Sequence, residues 1–330
     1  MIDIQVCEDK STWNNLVHDR GGHPLQLWGW GDLKAAHNWQ AVRLIARDGA
    51  EIVGYCQVLL RKLPRPFKMF AYSPRVRVGE TNSPAALDKM VKYIKANYPV
   101  TYFSIDPDQE QIKLSSKWRK TANTILIPKT LILDLSKSDS DLLADMSKKT
   151  RQYVRKSAKE AVEVRRLLTD VELDECLDIY KQTASRAGFA LHDDQYYYDV
   201  HSFMGERSHI YGAFSREKLV AFVWLAVSDE TAFELYGGMN DEGQKLRSNY
   251  NLKWQAITEM KQTGIRRYDM NGLLNDGVST FKRGFATHEN QLVGTYDYPL
   301  SPLYIVWSKV LPMGRTVLRK LKQRSVKNNS

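Results

Sequence analysis

Apolar and polar positions alternate at residues 2–6, which predicts a strand, and residues 11–18 follow as a helix with Ser11 as its N-cap. Two β-rich runs, 41–47 and 52–61, are joined by Asp48-Gly49, a hairpin signal because both residue types tolerate the left-handed backbone of a tight turn. A helix is expected at 87–97 and a strand at 100–105, ending at Asp106-Pro107. Residues 128–135 read as a strand, and a helix beginning at 140–146 is continued by 148–159. The next helix, 170–187, carries Leu173, Cys176, Leu177 and Tyr180 at core spacing and runs out at Arg186-Ala187-Gly188-Phe189. Strands follow at 210–214, 219–227 and 232–236. Then comes a helix at 250–262, with Leu252, Ile257 and Met260 on one side, Trp254 beside them and Gly264 where a C-cap glycine belongs. A strand at 265–268 ends in Asp269 and a turn at Gly272, another is expected at 291–298, and the tail reads as a helix over about 303–324.

The order strand, turn, strand, strand, helix, strand ending in Asp occurs twice, although the residues of the two copies hardly match. It predicts two copies of one mixed α/β (α+β) domain, 1–138 and 139–302, with the C-terminal helix packing back on the first. A sheet that is antiparallel and then parallel, with a helix between its last strands, suggests the acetyltransferase-like (GNAT) domain in tandem, without a coiled helical arm.

At 330 residues the chain is long enough for two cores. Its 48 Lys and Arg against 38 Asp and Glu leave +10, so an anionic partner is expected: a phosphate-rich ligand, RNA or an acidic membrane surface. The isolated Cys7, Cys56 and Cys176 form no CxxC pair, so neither a disulfide framework nor a zinc site is implied, which suits a reducing cytosol. The start of the chain lacks the basic and apolar regions of a signal peptide, and the longest apolar run, 219–227, is too short to span a bilayer.

The densest charge lies between the two copies. On a helix Lys148, Gln152, Arg155 and Lys159 share one face, and Lys149, Tyr153 and Lys156 the next. Such a run is either a solvated face or a contact for nucleic-acid phosphates, made on the second reading by Lys148, Lys149, Arg151 and Arg155. The basic tail at 315–324, with its interspersed leucines, either docks on the first domain or lies on an anionic membrane. Phe281-Lys282 is an aromatic-anchored cation after a glycine-containing turn, near a strand end where a cleft would open.

Several stretches, in this order, resemble the Fem family of peptidoglycan aminoacyltransferases (FemA, FemB and the compact FemX type). They are the 26–34 run with Trp28, Trp30 and Lys34, then Trp39, Tyr72-Ser73-Pro74-Arg75, Ile105-Asp106-Pro107, 130–135 and the 148–164 segment. The series continues with 183–189, Tyr236-Gly237-Gly238, Tyr268-Asp269-Met270-Asn271-Gly272 and Phe281-Lys282-Arg283-Gly284-Phe285. The similarity spans nearly the whole chain. Two positions depart from it: the family's proline-arginine-glycine-proline loop is Pro74-Arg75-Val76-Arg77, and a usual glycine is Ala161. With no long helical insertion, the chain looks like the compact form.

The resemblance implies transfer of an amino acid from aminoacyl-tRNA to the side-chain amine of the stem-peptide diamino acid of a peptidoglycan precursor, either lipid II or UDP-MurNAc-pentapeptide. It implies no cofactor and no metal beyond that co-substrate, and a cytoplasmic enzyme with peripheral contact at the inner membrane face. Both substrates are polyanions, in keeping with the net charge. Lys34 and Arg186 match family positions that hold the precursor's pyrophosphate; Trp30, Arg75, Tyr236, Tyr250 and Asp269 are expected to contact substrate. Asp106 would orient the acceptor amine, and Lys282, steadied by Phe281, would meet the tRNA acceptor end or the developing oxyanion. No Ser/His/Asp or Cys/His set is needed, because the amine is itself the nucleophile.

Two other readings compete. An acetyl-CoA N-acetyltransferase shares the fold but needs a glycine-rich pyrophosphate loop at a helix start, and 244–250 contains no glycine. A non-catalytic RNA-binding protein would rest on the basic helix around Arg151 and would not depend on Lys282.

Overall fold

The computed structural model describes residues 1–79, 82–159, 162–274 and 276–310. Ala161 and most of the expected tail helix, from residue 311, lie outside the described residues. The described residues form two compact units: one built from Met1–Glu8, Asn38–Pro128 and the segment from Val293 to residue 310, the other from Asp9–His37 and Lys129–Leu292.

Unit 1 is organised on a seven-stranded sheet in the order Ile2–Val6, Gln40–Asp48, Glu51–Lys62, Met69–Pro74, Val100–Asp106, Tyr296–Pro299, Arg119–Lys120. Met69–Pro74 and Val100–Asp106 are parallel, and the helix Pro84–Asn97 makes the crossover between them. Ser83 caps that helix by accepting the Ala86 N–H, and Pro84 occupies its first turn, where no N–H is needed. Its Ala86, Leu87, Met90, Val91 and Ile94 pack on Val42, Leu44, Val58, Phe103 and Ile105. The other face of the sheet receives the described part of the tail, helical over 303–310. There Tyr304 donates to Asp297 Oδ2 at 3.0 Å and the Trp307 indole to Tyr102 Oη at 2.8 Å.

Unit 2 carries a six-stranded sheet, Ile132–Asp134, Arg267–Asp269, Thr231–Met239, Lys218–Val227, Ser208–Ser215, Glu163–Arg166. Thr231–Met239 and Arg267–Asp269 are parallel, linked through the helix Ser248–Gln262. The sequence order strand, strand, strand, helix, strand ending in Asp is thus a structural repeat. The helix Asp170–Ala187 begins at a capping box, Thr169 with Glu172, and ends at Gly188 in the left-handed region (φ 73°).

Four expectations need correction. The boundary at 138/139 placed residues 9–37 with the first domain, but they pack in unit 2. A Cβ on Gly29 would lie 2.1 Å from the Phe203 carbonyl oxygen, so only glycine permits this approach; His18 Nδ1 meets Asp229 at 2.9 Å and His37 Nε2 meets Asp199 at 2.8 Å. The strand at 128–135 also belongs to unit 2, because Leu131, Leu133 and Leu135 fill that unit's core. The strand expected at 291–298 is two short strands: Asn290–Gln291 pairs with Lys129–Thr130, while Tyr296–Pro299 joins the sheet of unit 1. In addition, the helix expected to run from 140 through 159 breaks into Asp139–Asp145 and Lys148–Lys159, where Ser147 Oγ accepts the Thr150 N–H. Among the described residues no helix is long and apolar enough to cross a membrane.

Candidate active site

Lys282 lies near the end of the short helix Gly277–Arg283, which Asp276 caps by accepting the Ser279 N–H at 2.7 Å. Its ammonium donates to the Met270 carbonyl and, at 3.4 Å, to the Asn271 carbonyl. Those carbonyls are held in place by the turn that follows strand Arg267–Asp269. Asn271 takes a left-handed conformation (φ 58°), and its side-chain amide donates to the Glu234 carbonyl at 3.0 Å. The Glu234 carboxylate lies 3.9 Å from Lys282, but both its oxygens are taken by Lys253, at 2.6 and 2.9 Å. Lys253 is buried under the rings of Phe281 (5.0 Å to the centroid) and Phe285 (5.7 Å). Burial holds its ammonium below the usual lysine range, and the Glu234 charge partly offsets this.

Tyr250 packs edge-on to Phe281 at 4.9 Å and to Tyr153 at 5.0 Å, and Tyr153 in turn lies beneath Arg247 (3.9 Å) and Lys149 (5.7 Å). The structure therefore brings Phe281, Lys282, Tyr250 and Lys149 into one contiguous group. Lys148, Lys149 and Arg155 are exposed on the basic helix, whose Thr150, Val154 and Ser157 face inward. Arg151 is engaged differently: its guanidinium donates to the carbonyls of Leu143, Ala144 and Met146, closing the C-terminal end of the preceding helix.

Lys34 belongs to a second group. Its ammonium donates to the Tyr196 hydroxyl at 2.7 Å and sits 4.6 Å from the Trp30 ring. Tyr236 hydrogen-bonds Tyr196 and packs among Tyr180, Tyr197 and Trp224; burial, then neighbouring tyrosine charge, raises its pKa well above the ordinary tyrosine value. Burial pushes Tyr196 up to about 12. His192 stacks on Tyr196 at 3.9 Å, and burial followed by the Lys34 charge lowers its pKa, so it stays neutral at pH 7. Trp30, Lys34 and Tyr236 thus come together. Arg186 binds the Met239 carbonyl and Asp241 (3.1 Å), at the end of the strand that carries Tyr236, three residues beyond it.

In unit 1, Asp106 ends its strand with both carboxylate oxygens occupied. Thr295 donates to Oδ1 at 2.5 Å, while Tyr72 (2.6 Å) and the Leu126 N–H (3.2 Å) donate to Oδ2. It is 2 % exposed; burial raises its pKa, against the pull of those hydrogen bonds and of the Arg75 charge. Arg75 is equally buried, in a left-handed turn (φ 51°). Asp269, expected to contact substrate, is fully enclosed: its Oδ1 accepts from the Thr130 hydroxyl (2.5 Å) and the Asn271 N–H (2.8 Å), an arrangement that builds the turn under Lys282.

Sequence reasoning missed Glu234, Lys253, Tyr196 and His192. Two signals were present. Glu234 interrupts an apolar strand, and Lys253 lies three and four residues before Ala256 and Ile257, on the helix face that is otherwise apolar.

Residues 118–216 and 213–311 match the FemAB family. The chain belongs to the FemAB family. It is similar to the lipid II:glycine glycyltransferase of Staphylococcus haemolyticus (strain JCSC1435), at 21% identity over 404 aligned residues covering 92% of this chain and 96% of that one. An alignment longer than this FemAB chain's 330 residues means that the relative carries segments absent here. Among solved structures it is similar to FemX, with a TM-score of 0.82 at 18% identity, covering 93% of this chain and 100% of that one. It is also similar to a tandem GNAT protein from the clavulanic acid biosynthesis pathway, with a TM-score of 0.50 at 10% identity, covering 92% and 99%. The fold is the compact FemX type, two GNAT-like units with no helical arm among the described residues.

Proposed function

We propose that this chain transfers an amino acid from aminoacyl-tRNA to the side-chain amine of the stem-peptide diamino acid in a peptidoglycan precursor, building an interpeptide bridge. The observation that carries the reading is Lys282, an ammonium tied to two backbone carbonyls beside Tyr250 and Phe281, with exposed cations of the basic helix adjoining through Tyr153. The naming of relatives as lipid II:glycine glycyltransferases supports it.

In the reaction the neutral acceptor amine attacks the ester carbonyl carbon, forming a C–N bond. The C–O bond to the tRNA ribose breaks, the amine loses a proton and the ribose oxygen gains one. Lys282 stabilises the oxyanion that forms on the carbonyl oxygen. The cation–aromatic group of Lys34, Trp30 and Tyr236 binds the precursor's diphosphate, while Asp106, its oxygens taken by Thr295, Tyr72 and Leu126, is left to build the end of its strand. Lys148, Lys149 and Arg155 bind tRNA phosphates, with no cofactor beyond the aminoacyl-tRNA. Work at the inner membrane face fits the exposed Ile305, Val306 and Val310 beside Lys309 on the 303–310 helix. Replacing Ile305 and Val306 by Asp is expected to weaken co-sedimentation with phosphatidylglycerol vesicles about tenfold.

The test is incubation with bulk tRNA charged with mixed amino acids and a lysine-containing precursor, UDP-linked or lipid-linked, followed by mass spectrometry. The expected product is heavier by one or more amino-acid residues. Binding of tRNA without any mass gain would refute transfer and favour a non-catalytic RNA-binding protein, the reading to which the exposed cations of the 148–159 helix lend weight. That alternative requires salt-sensitive RNA binding indifferent to Lys282.

A further inference from the structure

Three charged side chains meet beneath the proposed oxyanion site, and only Lys282 was legible in the sequence. Glu234 comes from strand Thr231–Met239 and Lys253 from helix Ser248–Gln262; Asp276, the cap of the helix that carries Lys282, also bears on it electrostatically. One carboxylate faces two ammonium groups, so the trio keeps one positive charge in a nearly closed setting. The distances decide where that charge resides. Lys253 engages both Glu234 oxygens at hydrogen-bond length, whereas Lys282 stays 3.9 Å away and spends its donors on two uncharged carbonyls. Without Lys253, Glu234 would be free to close on Lys282 and neutralise it.

We infer that Lys253 is a positioning residue: by occupying both Glu234 oxygens it keeps Lys282 out of a hydrogen-bonded ion pair, so that the Lys282 ammonium stays available to the oxyanion or phosphate of the incoming ester. The inference rests on the transfer reading above and adds to it the arrangement that preserves the charge. A buried ion pair with no such purpose could be replaced by uncharged side chains of similar size with little effect on anything but stability. Here the two charges have unequal consequences, because removing Lys253 alone leaves Glu234 beside Lys282 and removing both does not.

The experiment compares the full chain with Lys253→Met, Glu234→Gln/Lys253→Met and Lys282→Ala. One readout is kcat/KM for transfer from charged bulk tRNA to the UDP-linked lysine pentapeptide. The other is the rate at which acetic anhydride labels Lys282 at fixed pH, followed by peptide mass spectrometry. Lys253→Met is expected to lower kcat/KM by about 10²-fold, the size of losing one oxyanion partner, and to slow labelling of Lys282. The double variant is expected to recover both to within about fivefold of the parent, since one positive charge again remains at Lys282. A merely structural role predicts no such recovery. Lys253→Met that transfers and labels like the parent, or a double variant no better than Lys253→Met, overturns the inference while loss of activity in Lys282→Ala leaves the transfer reading standing. If the parent shows no transfer, the labelling comparison still decides. If Lys253→Met does not fold, the double variant is set against the parent directly, and a deficit beyond about 50-fold in transfer counts against the inference.

Discussion

Replacing Lys282 with Met removes the ammonium and keeps most of the aliphatic stem. What is lost from the ground state is small: a donor to the Met270 and Asn271 carbonyls and a 3.9 Å contact with a carboxylate already held by Lys253. A donor lost from these two carbonyls, one of them on the fully buried Met270, costs about 1–2 kcal/mol, which the fold survives. The transition state loses more. A unit charge about 4 Å from a developing oxyanion is worth about 4 kcal/mol at an effective dielectric near 20, and water entering the vacated space returns part of it. A net loss of about 3 kcal/mol corresponds to about 10²-fold in kcat. The assay is single-turnover transfer from charged tRNA at saturating precursor, with a urea melt run alongside. The expected signature is a kcat fall of that order, little change in KM for the precursor and a melting midpoint near the parent's. Transfer at the parental rate would refute the role given to Lys282.

Three further outcomes follow from separate parts of the molecule. Tyr196→Phe removes the 2.7 Å hydrogen bond from Lys34 and the acceptor of Tyr236, so KM for the precursor should rise about tenfold with kcat nearly unchanged; a pure kcat effect would contradict diphosphate binding there. Arg151→Ala frees three carbonyls at the end of helix Asp139–Asp145 and should cost about 1–2 kcal/mol in urea denaturation, while tRNA affinity in a filter-binding titration stays close to the parent's. His209 is held at about 4 by burial, with Arg166 adding to the shift, and burial also lowers His192 and His201. Their folded pKa values lie below the unfolded 6.5, so their contribution is complete above that pH and fades as pH falls towards 4, because the unfolded chain takes up the protons first. Urea midpoints should therefore drop between pH 7 and pH 4.5, and a flat profile would count against it.

The elements themselves were largely legible. The 170–187 helix has its expected limits because its caps and core spacing are local: Thr169 and Glu172 at one end, Gly188 at the other, Leu173, Cys176 and Leu177 on one face. The same holds for the hairpin around Gly49 (φ 61°) and the strands of the 208–239 meander. The motif residues were legible too, and Phe281, Lys282 and Tyr250 assemble, as do Trp30, Lys34 and Tyr236. Asp269 reads the same in sequence whether it faces a ligand or ties a turn. Only its hydrogen bonds to Thr130 and Asn271 separate the two.

What the sequence determined by itself was the part written in short-range periodicity and turn chemistry: several of the longer helices, most strands, the repeat and the cationic character, but not the helices Trp28–Ala36, Asp194–Met204 and Gly277–Arg283. Tertiary structure alone decided which unit each segment joins, so that residues 9–37 fall in the second unit, 129–135 supply leucines to its core and 296–299 join the sheet of the first. It alone set Lys253 against Glu234. The physical reason is common to both: strand partners and buried charge partners are chosen by packing between segments far apart in the chain, and the period of a sequence carries no record of its neighbour.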